Sequence, residues 1–317
     1  MLHVLSATLP IFLVVGLGYV LTRRGMFRRA DMTILSKFVV KVALPLLIFM
    51  NVSGRSATEI FNPTYLLTYA GAAMVMFALA FGYAKVLGRT SQRATFMAMG
   101  MGGTNNGFIG FPVFLILFAE VAGAAIGMDM LVDNVLIIPL TLFLAERSVG
   151  TGNLAQRIVA TVRGVLLHPM VLAIIAALVL NAFGITLPAV LDRSLKLLAQ
   201  TSSGVALFTV GGMLVGLQIH GMVTDIVVTV VGKLVVMPAV AIGLVVGLVA
   251  VGLPGLSPEL RAAAVLTCAL PTYSILPALA QPYGEVDVTT ASMMLSTVLS
   301  FVTLSGWMLV LRGIGWM

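Results

Sequence analysis

The residues best suited to binding a small ligand lie in two glycine- and proline-rich segments, each inside a long apolar run. The segments are residues 101–112 and 270–277. Glycine weakens a helix by about 1 kcal/mol and an interior proline by about 3 kcal/mol, so both runs should contain broken helices. A break at membrane depth is tolerated only where protein or a watery cavity satisfies the freed backbone groups. Two matched breaks therefore predict a binding site near the bilayer midplane.

The chemistry predicted for these breaks is the recognition of an anion by neutral groups. A broken helix presents free N–H groups and the positive end of its dipole, and both suit a carboxylate. Hydroxyl and amide side chains around the breaks add further donors. The alternative interpretation is that each break is only a structural kink. The candidate substrate-binding residues are Thr104, Asn105, Asn106, Gly107, Pro112, Pro271, Thr272, Tyr273 and Ser274.

Ionisable side chains inside the apolar runs form a second group of candidates, because a charge at membrane depth is rare without a function. Asp133, followed by Asn134, lies about 10 Å from the outer end of its run by helical rise, and Lys233 about 12 Å from the cytoplasmic end. We expect Asp133 to carry a coupling proton or to help close a gate. We expect Lys233 to attract an anion, and the alternative for Lys233 is snorkelling to the interface.

The composition of the chain indicates that lipid is its main solvent. Of the 317 residues 60% are hydrophobic and 9% are charged, and the mean hydropathy is +1.12. A soluble domain carries about 25% charged residues. The net charge of +7 comes from basic clusters between apolar runs, so we do not expect nucleic-acid binding. With one cysteine, no histidine pair at ligand spacing and no cofactor motif, we expect neither a metal site nor a cofactor.

Ten apolar runs are suited to membrane helices, which need about 20 residues each. Basic residues concentrate in alternate loops of the first half, which predicts that both termini lie on the non-cytoplasmic side. The first run precedes its basic residues, so we interpret it as a retained span and not as a cleaved signal peptide. The predicted spans lie near residues 4–22, 33–53, 64–87, 94–119, 126–146, 166–184, 195–217, 225–250, 261–283 and 288–311.

The longest polar connection, residues 146–164, divides the chain into two halves of similar size. Each half contains five predicted spans, and an odd number gives the halves opposite orientations. The breaks in the fourth and ninth spans occupy matching positions in the two halves. The sequence therefore predicts an all-α membrane protein with ten transmembrane helices in two inverted five-helix repeats, residues 1–150 and 151–317.

The motifs in and around the breaks are similar to those of a known family. Residues 104–112, Thr-Asn-Asn-Gly-Phe-Ile-Gly-Phe-Pro, resemble the fourth-span motif of the auxin efflux carrier family. Residues 232–238 resemble its eighth span, residues 270–272 and 280–284 its ninth, and residues 291–304 its tenth. The family includes plant PIN-type carriers and bacterial permeases named for malate or malonate.

The resemblance covers nearly the whole chain and implies two inverted repeats in which the broken fourth and ninth helices cross. It also implies a scaffold of spans one, two, six and seven beside a moving transport unit, an elevator-like motion and a homodimer. The chain lacks the long central hydrophilic loop of the plant members, which favours a bacterial-type permease. Where many relatives have asparagines in the ninth-span break, this chain has Thr272, Tyr273 and Ser274.

These features predict a secondary transporter of small organic anions, namely carboxylates, that works by alternating access in a bacterial cytoplasmic membrane. Its expected partners are the substrate, the lipid bilayer and a second copy of the chain. The alternative is a cation or proton antiporter, or an ion-coupled symporter, on a related inverted-repeat fold. An antiporter would usually need two adjacent acids near the crossing, and Asp133 supplies one. We expect neither an intramembrane enzyme nor a channel, because no enzyme signature and no ring of like charges occurs.

Overall fold

In a computed structural model, the chain is α-helical wherever the structure describes regular secondary structure, and no β-strand occurs among the described residues. The predicted connection between the two halves lies mostly outside the described part. The described residues are 2–53, 61–149, 167, 169–213, 215–216 and 223–317.

The helices follow the predicted order of spans, and several long helices contain a single π-helical turn. The α-helices are α1 (Leu2–Arg23), α2 (Arg29–Phe38), α3 (Leu44–Val52), α4 (Pro63–Val86), α5 (Ser91–Gly102), α6 (Phe111–Leu117), α7 (Ala122–Val132), α8 (Ile138–Val149), α9 (Pro169–Ala182), α10 (Ala189–Met213), α11 (Val223–Val231), α12 (Met237–Ala250), α13 (Pro258–Ala269), α14 (Leu276–Ala280) and α15 (Val286–Gly313). The π-helical turns are Val39–Ala43, Asn106–Gly110, Asp133–Ile137 and Gly232–Val236.

Five helical stretches of the described residues are long and apolar enough to cross a bilayer. They correspond to the second, third, fifth, eighth and tenth predicted spans, so these five predictions are confirmed. The other five spans and the inverted repeat stay predictions. The five stretches are Ala30–Met50, Pro63–Val86, Ala122–Ala145, Val223–Ala250 and Val286–Gly313.

Each π-helical turn ends two residues before a proline, which explains its position. Proline has no N–H group, and its ring clashes with the carbonyl group four residues earlier. A wider turn with i to i+5 hydrogen bonds relieves that clash. In the last turn, Pro238 leaves the Leu234 carbonyl without its helical donor, and the indole N–H of Trp307 donates to it at 2.8 Å. The other three prolines are Pro45, Pro112 and Pro139.

Helix α4 has the polarity expected of a helix surrounded by lipid. Its buried face carries Tyr65 and Tyr69, whereas Leu67, Val75 and Leu79 are 49%, 37% and 47% exposed. An amphipathic helix of a soluble protein shows the reverse, with polar side chains facing the solvent. Polar groups that face the protein interior and apolar groups that face outward are typical of membrane helices.

The chain forms two compact units, and each unit takes residues from both halves of the sequence. Unit 1 contains the helices of predicted spans one, two, six and seven, which the resemblance assigns to a scaffold. The predicted division into residues 1–150 and 151–317 is a different one, because it separates two inverted repeats and not two compact units, and it stays a prediction. Unit 1 comprises Met1–Asn62, Gly107–Met128 and Gly164–Gly216, and unit 2 comprises Pro63–Asn106, Asp129–Arg163 and Leu217–Met317.

Within unit 1, helices α1 and α10 approach each other backbone to backbone over glycines. A Cβ atom at Gly18 would overlap the backbone of Phe208, and one at Gly211 would overlap the carbonyl group of Val15. Small residues allow this close approach, which is a main source of packing energy between membrane helices. The glycines of this interface are therefore structural.

We expect Gly211→Ala to lower the thermal stability of the purified protein, because overpacking a tight contact typically costs about 1–3 kcal/mol. Gly204→Ala, on the same helix, is the matched control, since a Cβ at that position meets no atom within 4 Å. The melting temperatures of the two variants in one detergent check the prediction. Equal melting temperatures would contradict the close packing of α1 and α10.

Candidate functional site

The first predicted break follows the end of helix α5. The helix begins at a capped position, since the Thr90 hydroxyl accepts the backbone N–H of Arg93 at 3.1 Å. It ends at Gly102, and Gly103 is extended with φ −91° and ψ 157°. Residues 103–105 are not helical, so the break lies where the sequence predicts it.

The second predicted break follows the end of helix α13. Ser257 caps the start of this helix, and its hydroxyl accepts the backbone N–H of Leu260 at 3.2 Å. The helix ends at Ala269, and Leu270 is extended. A residue that precedes a proline is pushed out of the helical region, which is why Leu270 ends the helix before Pro271.

The two breaks meet within unit 2. The backbone N–H of Asn105 donates to the carbonyl oxygen of Pro271 at 2.8 Å. The Tyr273 ring packs directly against Gly103, where a Cβ atom would collide with the ring. The structure therefore brings together two segments that are far apart in the sequence and that both contain candidate residues.

Asp133 holds the first break from a neighbouring helix. The side-chain amide of Asn106 donates to one carboxylate oxygen at 2.7 Å. The Tyr69 hydroxyl donates to the other oxygen at 2.5 Å. The Tyr273 hydroxyl lies beside the same carboxylate but makes no hydrogen bond of good geometry. Neutral donors from two segments of the chain, Tyr69 and Asn106, thus hydrogen-bond to this buried carboxylate.

Lys233 reaches the first break from the π-helical turn between α11 and α12. Its ammonium group donates to the Thr104 hydroxyl at 2.7 Å and lies 3.1 Å from the sulfur atom of Met237. The residue is 0% exposed, so it does not snorkel in this structure. An ammonium group has three donors. With two of them engaged among the described residues, one N–H is left for a ligand.

The sequence analysis missed a second buried carboxyl group, that of Asp129. It lies one helical turn before Asp133 and is fully buried. Its two oxygens lie 3.1 Å from the Tyr65 hydroxyl and 2.9 Å from the Thr267 hydroxyl. The spacing of four residues between the two aspartates was the available signal, because residues i and i+4 share one face of a helix.

The two tyrosine–aspartate pairs define the relative direction of helix α4 and the helical segment from residue 129 onward. Tyr65 pairs with Asp129 and Tyr69 pairs with Asp133, so both segments advance by four residues in the same direction. The two segments are therefore parallel. Parallel membrane helices require an odd number of crossings between them, and the predicted fourth span would be that crossing.

Several buried polar atoms near the breaks have no protein partner. Buried polar groups are normally hydrogen-bonded, so we expect a water molecule or a ligand to satisfy atoms of this kind. The backbone N–H of Thr272 donates to the Ser296 hydroxyl at 3.4 Å, whereas the side-chain hydroxyl of Thr272 has no partner among the described residues. Among the described residues of unit 2, the unsatisfied atoms are Asn106 Oδ1, Thr272 Oγ1, the Tyr273 hydroxyl and Ser292 Oγ.

Two of the predicted site residues, Ser274 and Asn134, are not brought to this meeting point, and two others lie in the other unit. Ser274 is exposed. The Asn134 amide donates to the carbonyl oxygen of Met130 at 2.8 Å and so serves its own helix. Gly107 and Pro112 belong to unit 1. The candidate residues at the meeting point are therefore those from Thr104 to Asn106 and from Pro271 to Tyr273, with Asp133 and Lys233.

An ion network in unit 2 joins the starts of helices α5, α11 and α15. The buried carboxylate of Asp225 contacts Arg89 at 3.1 Å and Arg93 at 3.2 Å, and Arg93 also pairs with Glu285 at 2.5 Å. Burial raises the pKa of the Glu285 carboxyl group, and the adjacent Arg93 opposes that shift. The network connects three chain segments that the predicted topology assigns to the same, cytoplasmic side.

A family model described as "Membrane transport protein" matches residues 3–308. The chain belongs to this family. The match confirms the resemblance to auxin efflux carriers that the motifs of the breaks indicated. It also identifies the chain as a transport protein and not an enzyme.

Two relatives with transporter names are similar to the chain over different lengths. The "Putative malonate transporter" of Rhizobium meliloti (strain 1021) is 27% identical over 318 residues, which cover 98% of this chain and 97% of the relative. The "Uncharacterized transporter YfdV" of Escherichia coli (strain K12) is 28% identical over 207 residues, which cover 64% of this chain and 66% of that relative. The chain thus spans nearly the full length of the first relative and about two thirds of the second.

Proposed function

We propose that the chain is a secondary transporter of small carboxylates, which it moves across a bacterial cytoplasmic membrane by alternating access. The observation that carries this proposal is the buried Lys233 ammonium beside unsatisfied polar atoms where the two breaks meet. Hydrogen bonds between a cation and a carboxylate are about twice as strong as neutral ones. The name of the Rhizobium relative supports a dicarboxylate such as malonate as the substrate.

Asp133 gives this site a way to bind an anion without binding it too tightly. Lys233 and Asp133 interact electrostatically inside unit 2. A substrate carboxylate would compete with Asp133 for the ammonium group, so that one anionic partner replaces another. This exchange limits the net affinity, and a carrier needs limited affinity because it must release its substrate on the other side.

The transport movement that we propose is elevator-like. All the residues at the meeting point of the breaks belong to unit 2, and the helices that the resemblance assigns to the scaffold belong to unit 1. We therefore propose that unit 2 carries the substrate and that unit 1 anchors the protein, as a homodimer with both termini on the non-cytoplasmic side. The ion network supports the predicted topology, because it joins three segments that this topology places on one side of the membrane.

A proton or cation antiporter is the second candidate, and one specific observation favours it. Asp129 supplies the second buried acid beside Asp133 that such an antiporter would usually need. The two candidates differ in what they move, because an antiporter exchanges cations without an organic anion. The distinction is therefore accessible to binding and flux measurements.

Ligand-induced stabilisation of the purified protein tests the proposal. A ligand present at about 100 times its Kd stabilises a protein by about 2.7 kcal/mol. We expect one of malonate, malate or acetate to raise the melting temperature of the wild type and to have little effect on Thr272→Val. Stabilisation by sodium ions alone, with no response to any carboxylate, would favour the antiporter.

We also expect Gly103→Ala to slow carboxylate transport by about tenfold. The added methyl group would displace the Tyr273 ring from the break, and such overpacking typically costs about 1–3 kcal/mol. Gly82→Ala is the matched control, since a Cβ there meets no atom within 4 Å. Initial uptake rates per amount of reconstituted protein check this. Wild-type uptake by Gly103→Ala would show that the contact of Tyr273 with the break has no role in transport.

A further inference from the structure

We infer that Asp129 is the proton-carrying carboxyl group of this transporter, held in a ring of hydrogen-bonding contacts with the hydroxyl groups of Tyr65 and Thr267. The inference rests on the proposed carboxylate transport and adds a proton as a second, coupled cargo. None of the three residues belongs to the predicted substrate site. The ring lies one helical turn, about 6 Å of helical rise, before Asp133.

The ring has more oxygen–oxygen contacts than hydroxyl protons. Its three oxygen–oxygen contacts are 3.1 Å between Tyr65 and Asp129, 2.9 Å between Thr267 and Asp129, and 3.0 Å between Tyr65 and Thr267. Each hydroxyl group supplies one proton. With an ionised carboxylate, both protons point at Asp129, and the third contact joins two oxygens with no proton between them. With a protonated carboxyl group, three protons fill three contacts.

Asp133 shows the opposite pattern, although it lies on the same helical segment. The Tyr69 hydroxyl and the Asn106 amide both donate to it, so its contacts are satisfied when the carboxylate is ionised. Two acids whose surroundings favour different protonation states are the usual way in which a protein separates their roles. Asp133 is therefore the charged group that positions the break, and Asp129 is the neutral acid.

The charges in this region also favour a neutral Asp129. Lys233 is a cation that interacts electrostatically with both Asp129 and Asp133. A buried charge without a partner is strongly destabilising. One cation between two carboxyl groups therefore favours one neutral acid. The titratable groups that interact electrostatically with Asp129 are Tyr65 and Tyr69 of α4, Asp133, Lys233, Cys268 of α13 and Tyr273 of the second break.

This arrangement couples the proton to the substrate. Loss of the Asp129 proton leaves a second negative charge near Lys233, and this charge competes with a substrate carboxylate for the ammonium group. Protonation of Asp129, which takes one proton from water to form an O–H bond, removes that competitor. Proton and carboxylate thus favour each other's binding, and the effect is reciprocal. Release of the proton on the opposite side weakens substrate binding there.

The variant Asp129→Asn tests the inference, because the amide can still donate and accept in the ring but cannot ionise. In proteoliposomes we expect it to exchange radiolabelled malonate across a membrane with equal pH on both sides, as the wild type does. We expect it to lose the malonate accumulation that an acidic exterior drives in the wild type. Asp287→Asn, at an exposed carboxyl group, is the matched control and should retain both activities.

The outcomes separate this inference from the proposed function. Undiminished gradient-driven accumulation by Asp129→Asn would overturn the inference. A wild type that exchanges malonate but ignores the pH gradient would also overturn it and would leave the proposed function intact. A wild type that exchanges none of a panel of carboxylates would instead overturn the proposed function.

Infrared difference spectroscopy gives a readout that does not depend on transport. The wild type should show the C=O stretching band of a protonated carboxyl group, shifted in heavy water, and Asp129→Asn should lack this band. Tyr65→Phe removes one ring partner and leaves Asp129 in place, so it should shift the band to higher frequency. An unchanged band in either variant would overturn the assignment of the proton to Asp129.

Discussion

Replacing Lys233 with methionine is expected to raise the Michaelis constant for the transported carboxylate by about ten- to a hundredfold, because a hydrogen bond to a charged group contributes about 1.5–3 kcal/mol. Methionine retains most of the length and apolar body of lysine, so packing around this fully buried position should change little. Initial uptake rates at varied substrate concentration, measured in proteoliposomes, provide the constant.

The same change at an exposed lysine is the control for this prediction. Lys85 lies in the last turn of α4 and is exposed, and Lys85→Met should leave the Michaelis constant unchanged. If Lys233→Met also transported with the wild-type constant, the ammonium group would not take part in substrate binding. The meeting point of the breaks would then have to bind its ligand through neutral groups alone.

Asp133→Asn is expected to lower the free energy of unfolding by about 1–3 kcal/mol, the cost of leaving a buried hydrogen-bonding group unsatisfied. The substitution also removes a negative charge that stabilises the Lys233 ammonium group electrostatically. In the wild type, Tyr69 and Asn106 each donate a hydrogen bond to one carboxylate oxygen of Asp133. An asparagine has one side-chain oxygen, so its amide group can accept only one of these two bonds in the same geometry. The first break should therefore lose part of its support.

A double-mutant cycle separates the charge pair from these hydrogen bonds. Asp133→Asn combined with Lys233→Met removes both charges, so the double variant should recover part of the stability that each single variant loses. Coupling energies of about 0.5–3 kcal/mol are typical of residues in one network. Strictly additive losses in thermal or denaturant unfolding in detergent would show that the two charges act independently.

The two breaks could be predicted from the sequence because their cause is local. Glycine, proline and asparagine interrupt a helix through their own backbone preferences, and Leu270 becomes extended simply because Pro271 follows it. The long apolar helices could be predicted for the same reason. The match to the family then confirmed what the motifs of these breaks had indicated.

Asp129 shows where local reasoning failed. Asp129 has apolar neighbours and belongs to no recognisable motif, so the sequence favoured the polar pair Asp133 and Asn134 instead. In the structure, Asn134 only donates to a carbonyl group of its own helix. The parallel spacing of Tyr65 with Tyr69 and of the two aspartates could have suggested a pair of facing helices. Only the fold shows that the four residues meet and that Thr267 completes the ring.

The composition of the two units could not be predicted by dividing the chain at its longest polar connection. That division groups residues by repeat, whereas contacts in the fold group α4 and α5 with helices that follow residue 217. The ion network illustrates the reason, since Arg93, Asp225 and Glu285 come from three separate parts of the sequence. Long-range pairs of this kind leave no periodic signal in any single segment.

Uptake of radiolabelled mono- and dicarboxylates by the purified wild-type protein in liposomes, compared with Asn106→Ala and Thr272→Ala, would show whether the chain transports carboxylates through the meeting point of the breaks. We expect saturable uptake of one carboxylate, and we expect both variants to lose it while they remain folded. Cation movement driven by an imposed gradient, without uptake of any carboxylate, would instead identify the chain as an antiporter.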